Sequence, residues 1–160
     1  MTDDRLPDWA RDLHLTPHPE GGWYSETWRS AVTIPGAALP PDFSGDRVAA
    51  TAIYFLLLPG EQSAWHTVRG AELWLFHRGA PVMLELGGDG PEPRAPAAVT
   101  VGPDVEAGHR PQALVPPKTW QRARPAGDEP SLVSCIVAPG FDFADFRLAP
   151  EVGTHGRHTG

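Results

Sequence analysis

His66 and Glu72 stand in the segment GEQSAWHTVRGAELWLFHRG, which runs from Gly60 to Gly79. An imidazole and a carboxylate are the side chains most used to move protons near neutral pH, and both also ligate metal ions. If two strands meet at the Arg69-Gly70 turn, the two groups approach each other across the hairpin. In strand alternation Glu72 shares a face with Trp74 and Phe76, while Leu73, Leu75 and His77 take the other. A carboxylate on an aromatic face is costly to bury unless it is paired or takes up a proton. One face therefore packs against protein and the other faces a lined cavity. Within it, His66 oriented by Glu72 makes a general base. Equally, Glu72 is itself the base if Trp74 and Phe76 raise its pKa.

Further candidates lie on both sides of this segment. In PHPEGG, at 17–22, two prolines fix φ and two glycines permit positive φ. His18 reads there as a turn residue, and Glu20 reads equally as a turn residue or a pocket-rim carboxylate. On the next segment Tyr24 and Glu26 face the same way as Trp28, and that face is a second candidate cavity wall. Ser63 and Trp65 flank His66, with Trp65 facing away from it. His77 and His109 lack partners and read as surface or loop residues. His155 and His158 have ligand-like spacing in a tail without apolar pattern, where such spacing is commonly coincidental. Cys135, the single cysteine, sits in the apolar run SLVSCIVAPG and reads as a small core hydrophobe rather than a reactive thiol.

The segment 60–79 resembles the first motif of the cupin superfamily: a glycine, a His-x-His pair, a glutamate and a glycine at the same spacing. Residues 116–121 resemble its second motif, which ends in a third histidine. With PHPEGGWYSETWRS and VAPGFDFADF added, the chain is most similar to a branch of small cupins of unknown function, over about residues 6 to 148. In metal-dependent cupins the resemblance implies three histidines and one glutamate around a divalent ion. Here His66 and Glu72 match, but Val68 replaces the second histidine and Gln121 the third. Valine cannot ligate, and an amide oxygen suits hard cations better than zinc or iron. His66, Glu72 and Gln121 are therefore candidates for a weakly bound divalent ion completed by water; a tightly held catalytic metal is the less favoured alternative to direct hydrogen bonding of substrate by the same groups. By the same match Gln121 faces the cavity and Trp120 packs outside.

The elements that must position these groups are short. Strands are expected at 49–58, 64–68, 71–77, 82–86, 99–101, 112–115, 119–124 and 132–138, separated by Pro59-Gly60, Arg69-Gly70, Arg78-Gly79, Gly87-Gly88 and Pro116-Pro117. A short helix is expected at 6–13, with Pro7 at its start and Pro17 and Pro19 beyond its end. Residues 30–48 and 88–98 read as loops. Many short strands without intervening helices indicate an all-β double-stranded β-helix, a jelly-roll barrel, over residues 1–150 as one domain, with 151–160 a disordered tail. The 19 prolines and 17 glycines among 160 residues fit many turns and disfavour long helices.

Composition excludes several classes. The net charge of −7 leaves no basic footprint for nucleic acid or an anionic membrane. One cysteine excludes an intrachain disulfide and a Cys-based zinc site. No apolar run spans a bilayer, and MTDDRLPDWARDL is not a signal peptide, so a cytoplasmic location is expected. A homodimer is expected from exposed strand edges and from the pairing of jelly rolls that the resemblance implies. The leading reading is a metal-independent isomerase, epimerase or lyase acting on a sugar-like or secondary-metabolite molecule. His66 and Glu72 are its catalytic groups, with Gln121, Trp74, Phe76, Tyr24, Glu20, Glu26 and Ser63 about the substrate. The alternatives are a metal-dependent, dioxygenase-like cupin and a non-catalytic binding protein.

Overall fold

The computed structural model describes residues 4–150. The expected tail at 151–160, with His155 and His158, lies outside them. Thirteen strands follow in chain order: β1 (Thr16–Pro17), β2 (Trp23–Arg29), β3 (Thr33–Ile34), β4 (Arg47–Val48), β5 (Thr51–Leu57), β6 (His66–Val68) and β7 (Ala71–Gly79), then β8 (Val82–Leu86), β9 (Ala97–Val101), β10 (Gln112–Val115), β11 (Gln121–Pro125), β12 (Ser131–Ala138) and β13 (Phe146–Leu148). They build two antiparallel sheets, ordered β1-β2-β5-β12-β7-β10 and β13-β6-β11-β8-β9, plus the small β3-β4 ladder. This is the expected jelly roll. Among the described residues no helix is long and apolar enough to cross a membrane.

Alternation explains the packing. On β5, Phe55 and Leu57 point between the sheets and join Trp74, Val82, Leu84, Val115, Val133 and Cys135 in the main core. Leu56, on the other face, is equally buried because the N-terminal segment covers it. There it meets Leu6, Ala10, Trp23 and Leu132 in a second cluster. Strands covered on both faces lose the clean polar alternation of an exposed sheet, and AIYFLLL shows this.

Three expectations change. The N-terminal helix is a six-residue 3-10 turn, Asp8–Leu13, ended by His14 in the left-handed region; one short amphipathic stretch cannot sustain α-helix propagation. The 30–48 loop contains the β3-β4 ladder. Most consequentially, β6 and β7 do not form a hairpin. They belong to different sheets, so Arg69-Gly70 is a corner, and His66 and Glu72 face one another across the interior.

The last segment is pinned by a buried ion-pair cluster. Arg47 holds Asp145 through two bonds of 2.8 and 2.9 Å, and Arg69 Nε adds a third at 3.2 Å. A forked guanidinium–carboxylate pair fixes orientation as well as position. It holds β13 against β6, with Phe146 opposite Val68.

Candidate functional site

Between the sheets lies a cavity of about 30 Å³, room for roughly one or two waters. Its walls include His18, Glu20, His66, Val68, Glu72 and Cys135, closed by Ile53, Phe141 and Phe146.

His66 is almost wholly buried. Its Nδ1 lies 2.8 Å from the Ala64 carbonyl, which can only accept, so Nδ1 carries a proton and Nε2 is the nitrogen turned inward. Nε2 is 2.5 Å from Glu20 Oε2. Burial alone would lower the imidazolium pKa, but the Glu20 carboxylate, with help from Glu72 and the Ala64 carbonyl, overcomes this and raises it to about 9. His66 and Glu20 therefore form a buried ion pair at neutral pH.

Glu20 reaches this place because PHPEGG folds tightly. His18 N–H donates to the Gly22 carbonyl and Gly21 N–H to the His18 carbonyl, while Ala64 N–H donates to the Glu20 carbonyl. Gly22 has φ +79°, and a Cβ there would sit 2.8 Å from the Phe55 ring. Only glycine fits. His18 Nδ1 accepts the Glu20 N–H at 3.1 Å, which puts the proton of the neutral ring on Nε2. The His18 ring stands edge-on to Tyr24, centroids 4.6 Å apart. Burial lowers its pKa, and His66 adds to the effect against an opposing pull from Glu20. Two histidines of one cavity are thus driven in opposite directions.

Glu72 has different company. Trp74 Nε1–H donates to Gln121 Oε1 at 3.1 Å, and Gln121 Nε2 donates to Glu72 Oε2 at 3.3 Å. The indole can only donate, so it sets which way the Gln121 amide points. The Cys135 thiol also hydrogen-bonds the Glu72 carboxyl. Burial, then the Glu20 charge, raise the Glu72 pKa to about 7 against the opposing effects of His66, Gln121 and Cys135. Burial likewise drives the Cys135 thiol well above its usual range, which leaves it protonated and makes it a slow nucleophile.

The remaining candidates are placed as follows. Gln121 and Trp74 stand behind Glu72 and orient it, with Trp74 fully buried. Phe76 packs against the main core, outside the cavity. Ser63 accepts the Ala123 N–H at 2.8 Å, so its hydroxyl is used in tying β11 to the 61–65 segment. Tyr24 and Glu26 line an outer groove rather than the cavity, and Glu26 is tied to Arg29 at 2.8 and 2.9 Å. The ladder shifts register between Glu26 and Trp28, which breaks the alternation assumed for that face. Trp120 points away from the cavity, its Nε1 donating to the Gly90 carbonyl. His18, Phe141 and Phe146 are cavity residues beyond those expected. They come from PHPEGG and APGFDFADF, stretches read above for turns and resemblance rather than for walls.

The donor set does not fit the metal that the resemblance implies. Val68 points a hydrocarbon into the cavity, the Gln121 amide is engaged at both ends, and His66 Nε2 is directed at Glu20. Among the described residues, no group of three or more His, Cys, Asp or Glu side chains is disposed to hold an ion together.

Comparison with known proteins supports the architecture. A hypothetical protein from Leishmania major matches with 36% identity over 88% of this chain and 85% of that one, at a TM-score of 0.77. Protein SO0799 from Shewanella oneidensis matches with 36% identity over 93% and 85%, at a TM-score of 0.76. The uncharacterized protein YML079W of Saccharomyces cerevisiae is 29% identical over 88% of this chain and 73% of its own length. At 12% identity and a TM-score of 0.54, the oxalate decarboxylase of Lactobacillus farciminis shares the fold alone. Residues 7–149 match the family model described as Cupin superfamily (DUF985), and the chain belongs to that family.

Proposed function

We propose that this cupin is a metal-independent enzyme that moves a proton on a small carbonyl- or hydroxyl-bearing molecule, an isomerase, epimerase or lyase. Glu72 is the acid–base group, and His66, held protonated by Glu20, supplies a hydrogen-bond donor beside it. The observation that carries this reading is a buried carboxyl held near neutrality, at about 7, next to an imidazolium whose pKa is about 9. Paired groups whose environments push their pKa values apart mark acid and base roles. In the anionic form Glu72 takes a proton from the carbon next to a carbonyl. The substrate oxygen displaces Glu20 Oε2 from His66 Nε2–H and accepts a charged hydrogen bond there as negative charge develops. Returning the proton to the other face gives epimerisation, to a neighbouring atom isomerisation, and loss of a β-substituent elimination. The Gln121–Trp74 relay keeps Glu72 aimed and preorganised.

The test is exchange of carbon-bound hydrogen. A panel of aldose, ketose and keto-acid derivatives is incubated with the protein in D2O and read by proton NMR. Deuterium entering one carbon of one substrate class, and lost in Glu72→Gln, is the expected result. Binding of a panel member without exchange at any pH from 6 to 9 favours a non-catalytic binding protein.

We also propose a homodimer. Across the outer face of the six-stranded sheet the registers align Leu114, Leu73, Ile136, Ala52 and Trp28 in one row. Leu114 and Trp28 are more than half exposed. A contiguous apolar row with exposed ends suits a self-complementary, two-fold contact.

A further inference from the structure

The cavity that holds Glu72 is far too small for an organic substrate, and the substrate must bind somewhere continuous with it. Two outer pockets share walls with the cavity. One, about 450 Å³, meets it through Phe146. The other, about 520 Å³, meets it through Ile53 and Phe141 and is lined further by Tyr24, Arg29 and Phe143. Both fall in the size range of ligand sites, about 300–1,000 Å³.

The two partitions differ in how firmly they are held. Phe146 follows Asp145, which the Arg47 fork and Arg69 anchor, and it lies on a strand paired with β6. Phe141 lies on a loop. Its N–H donates to Thr51 Oγ1 at 3.0 Å, and its carbonyl accepts from Arg29 at 3.3 Å. Its side chain packs on Phe143, centroids 4.9 Å apart, and Phe143 is itself half exposed. Moving Phe141 breaks aromatic contacts in a solvated loop, whereas moving Phe146 disturbs a buried ion-pair cluster. Segments with few buried contacts open first.

Charge restricts what enters. In the cavity the imidazolium already has Glu20, and in the groove Arg29 already has Glu26. An anionic group carried inside would lose its hydration, find no unpaired cation, and meet the carboxylates of Asp142 on the groove wall and Glu72 in the cavity. Tyr24, Phe141 and Phe143 offer ring faces to an apolar or alicyclic body.

We propose that the 520 Å³ groove is the substrate-binding site, taking a ring-containing molecule without an anionic group, whose carbonyl or hydroxyl end reaches Glu72 when Phe141 turns aside. The reactive-end assignment rests on the proton-transfer reading; the groove and its gate do not.

Cys135, the only cysteine of the chain, lines the cavity and reports access without any turnover. Its labelling by methyl and by benzyl methanethiolsulfonate is followed by mass spectrometry in the parent, Phe141→Ala, Phe141→Leu and Phe146→Ala. Circular dichroism confirms folding, and rates unchanged by low urea exclude labelling through global unfolding. A change in thiol reactivity alone would speed both reagents together, so the benzyl-to-methyl ratio is the readout. We expect Phe141→Ala to raise that ratio by about ten-fold or more, Phe141→Leu to raise it less, and Phe146→Ala to leave it near the parent value. An unchanged ratio in both Phe141 variants, or a rise only in Phe146→Ala, overturns the gate. Cyclohexanone at high concentration is expected to slow benzyl labelling of the parent, and cyclohexanecarboxylate is not. Equal slowing by both, or by neither, overturns the exclusion of anionic rings. Absence of deuterium exchange with intact gating would defeat the reaction and leave the groove standing.

Discussion

Glu72→Gln removes the ionisable group and keeps its shape, and the sign of its effect on stability follows from burial. A carboxyl moved from 4.5 to about 7 is worth roughly 3 kcal/mol between its protonation states, at about 1.4 kcal/mol per pH unit. The folded pKa lies above the unfolded one, so the folded protein holds the proton more tightly. The associated stability is complete below about pH 4.5 and is lost as pH rises through about 7. At pH 8 the parent carries an ionised, buried carboxylate, while the glutamine variant carries a neutral amide that still accepts from Gln121. The variant should therefore unfold at higher urea than the parent at pH 8, by up to roughly 3 kcal/mol, and be within about 1 kcal/mol of it at pH 5. Urea melts of both proteins at half-unit steps from pH 5 to 8 measure the difference directly. A stability difference that does not change with pH, or one that favours the parent more strongly as pH rises, would refute the buried-carboxyl argument.

Glu20→Gln removes the charge that sustains the His66 imidazolium, so the His66 ring, which titrates at about 9 in the parent, should titrate markedly lower by NMR. The parent's His66-linked stability is present below about 6.5 and lost toward about 9, and that window should vanish from the variant's pH–stability curve. Protein purified without chelator should contain well under one equivalent of any transition metal, because the donor set lacks two of the expected histidines; near-stoichiometric metal lost in both His66→Ala and Glu72→Ala would contradict this. Leu114→Glu places a charge in the exposed apolar row and should shift light scattering from dimer to monomer, and a monomeric parent would sink the dimer outright.

Much of the fold was legible because turn dipeptides punctuate nearly every strand. SLVSCIVA and AELWLFHRG alternate or run apolar in ways only strands satisfy. His66 and Glu72 were legible from spacing and residue type, and Glu72 from the physical oddity of a carboxylate sharing a face with Trp74. The partner of His66 was not. Glu20 lies 46 positions away by the numbering, and a turn rich in proline and glycine reads the same whether its carboxylate faces water or the interior. Nor does a two-residue Arg-Gly break tell a hairpin from a corner between sheets, since both need only a sharp turn. Phe146 became a wall through the Arg47–Asp145 fork, a contact across 98 positions, and Phe141 through its bond to Thr51, across 90; local pattern reveals neither.

The pH dependence of deuterium exchange, for whichever substrate the panel yields, tests Glu72 as the proton carrier most directly. If Glu72 must be ionised and His66 protonated, kcat/KM for exchange rises through about pH 7 and falls through about pH 9, and Glu72→Gln abolishes it. Exchange that is flat across pH 7, or that survives in Glu72→Gln, would contradict the assignment of Glu72 as the group that carries the proton.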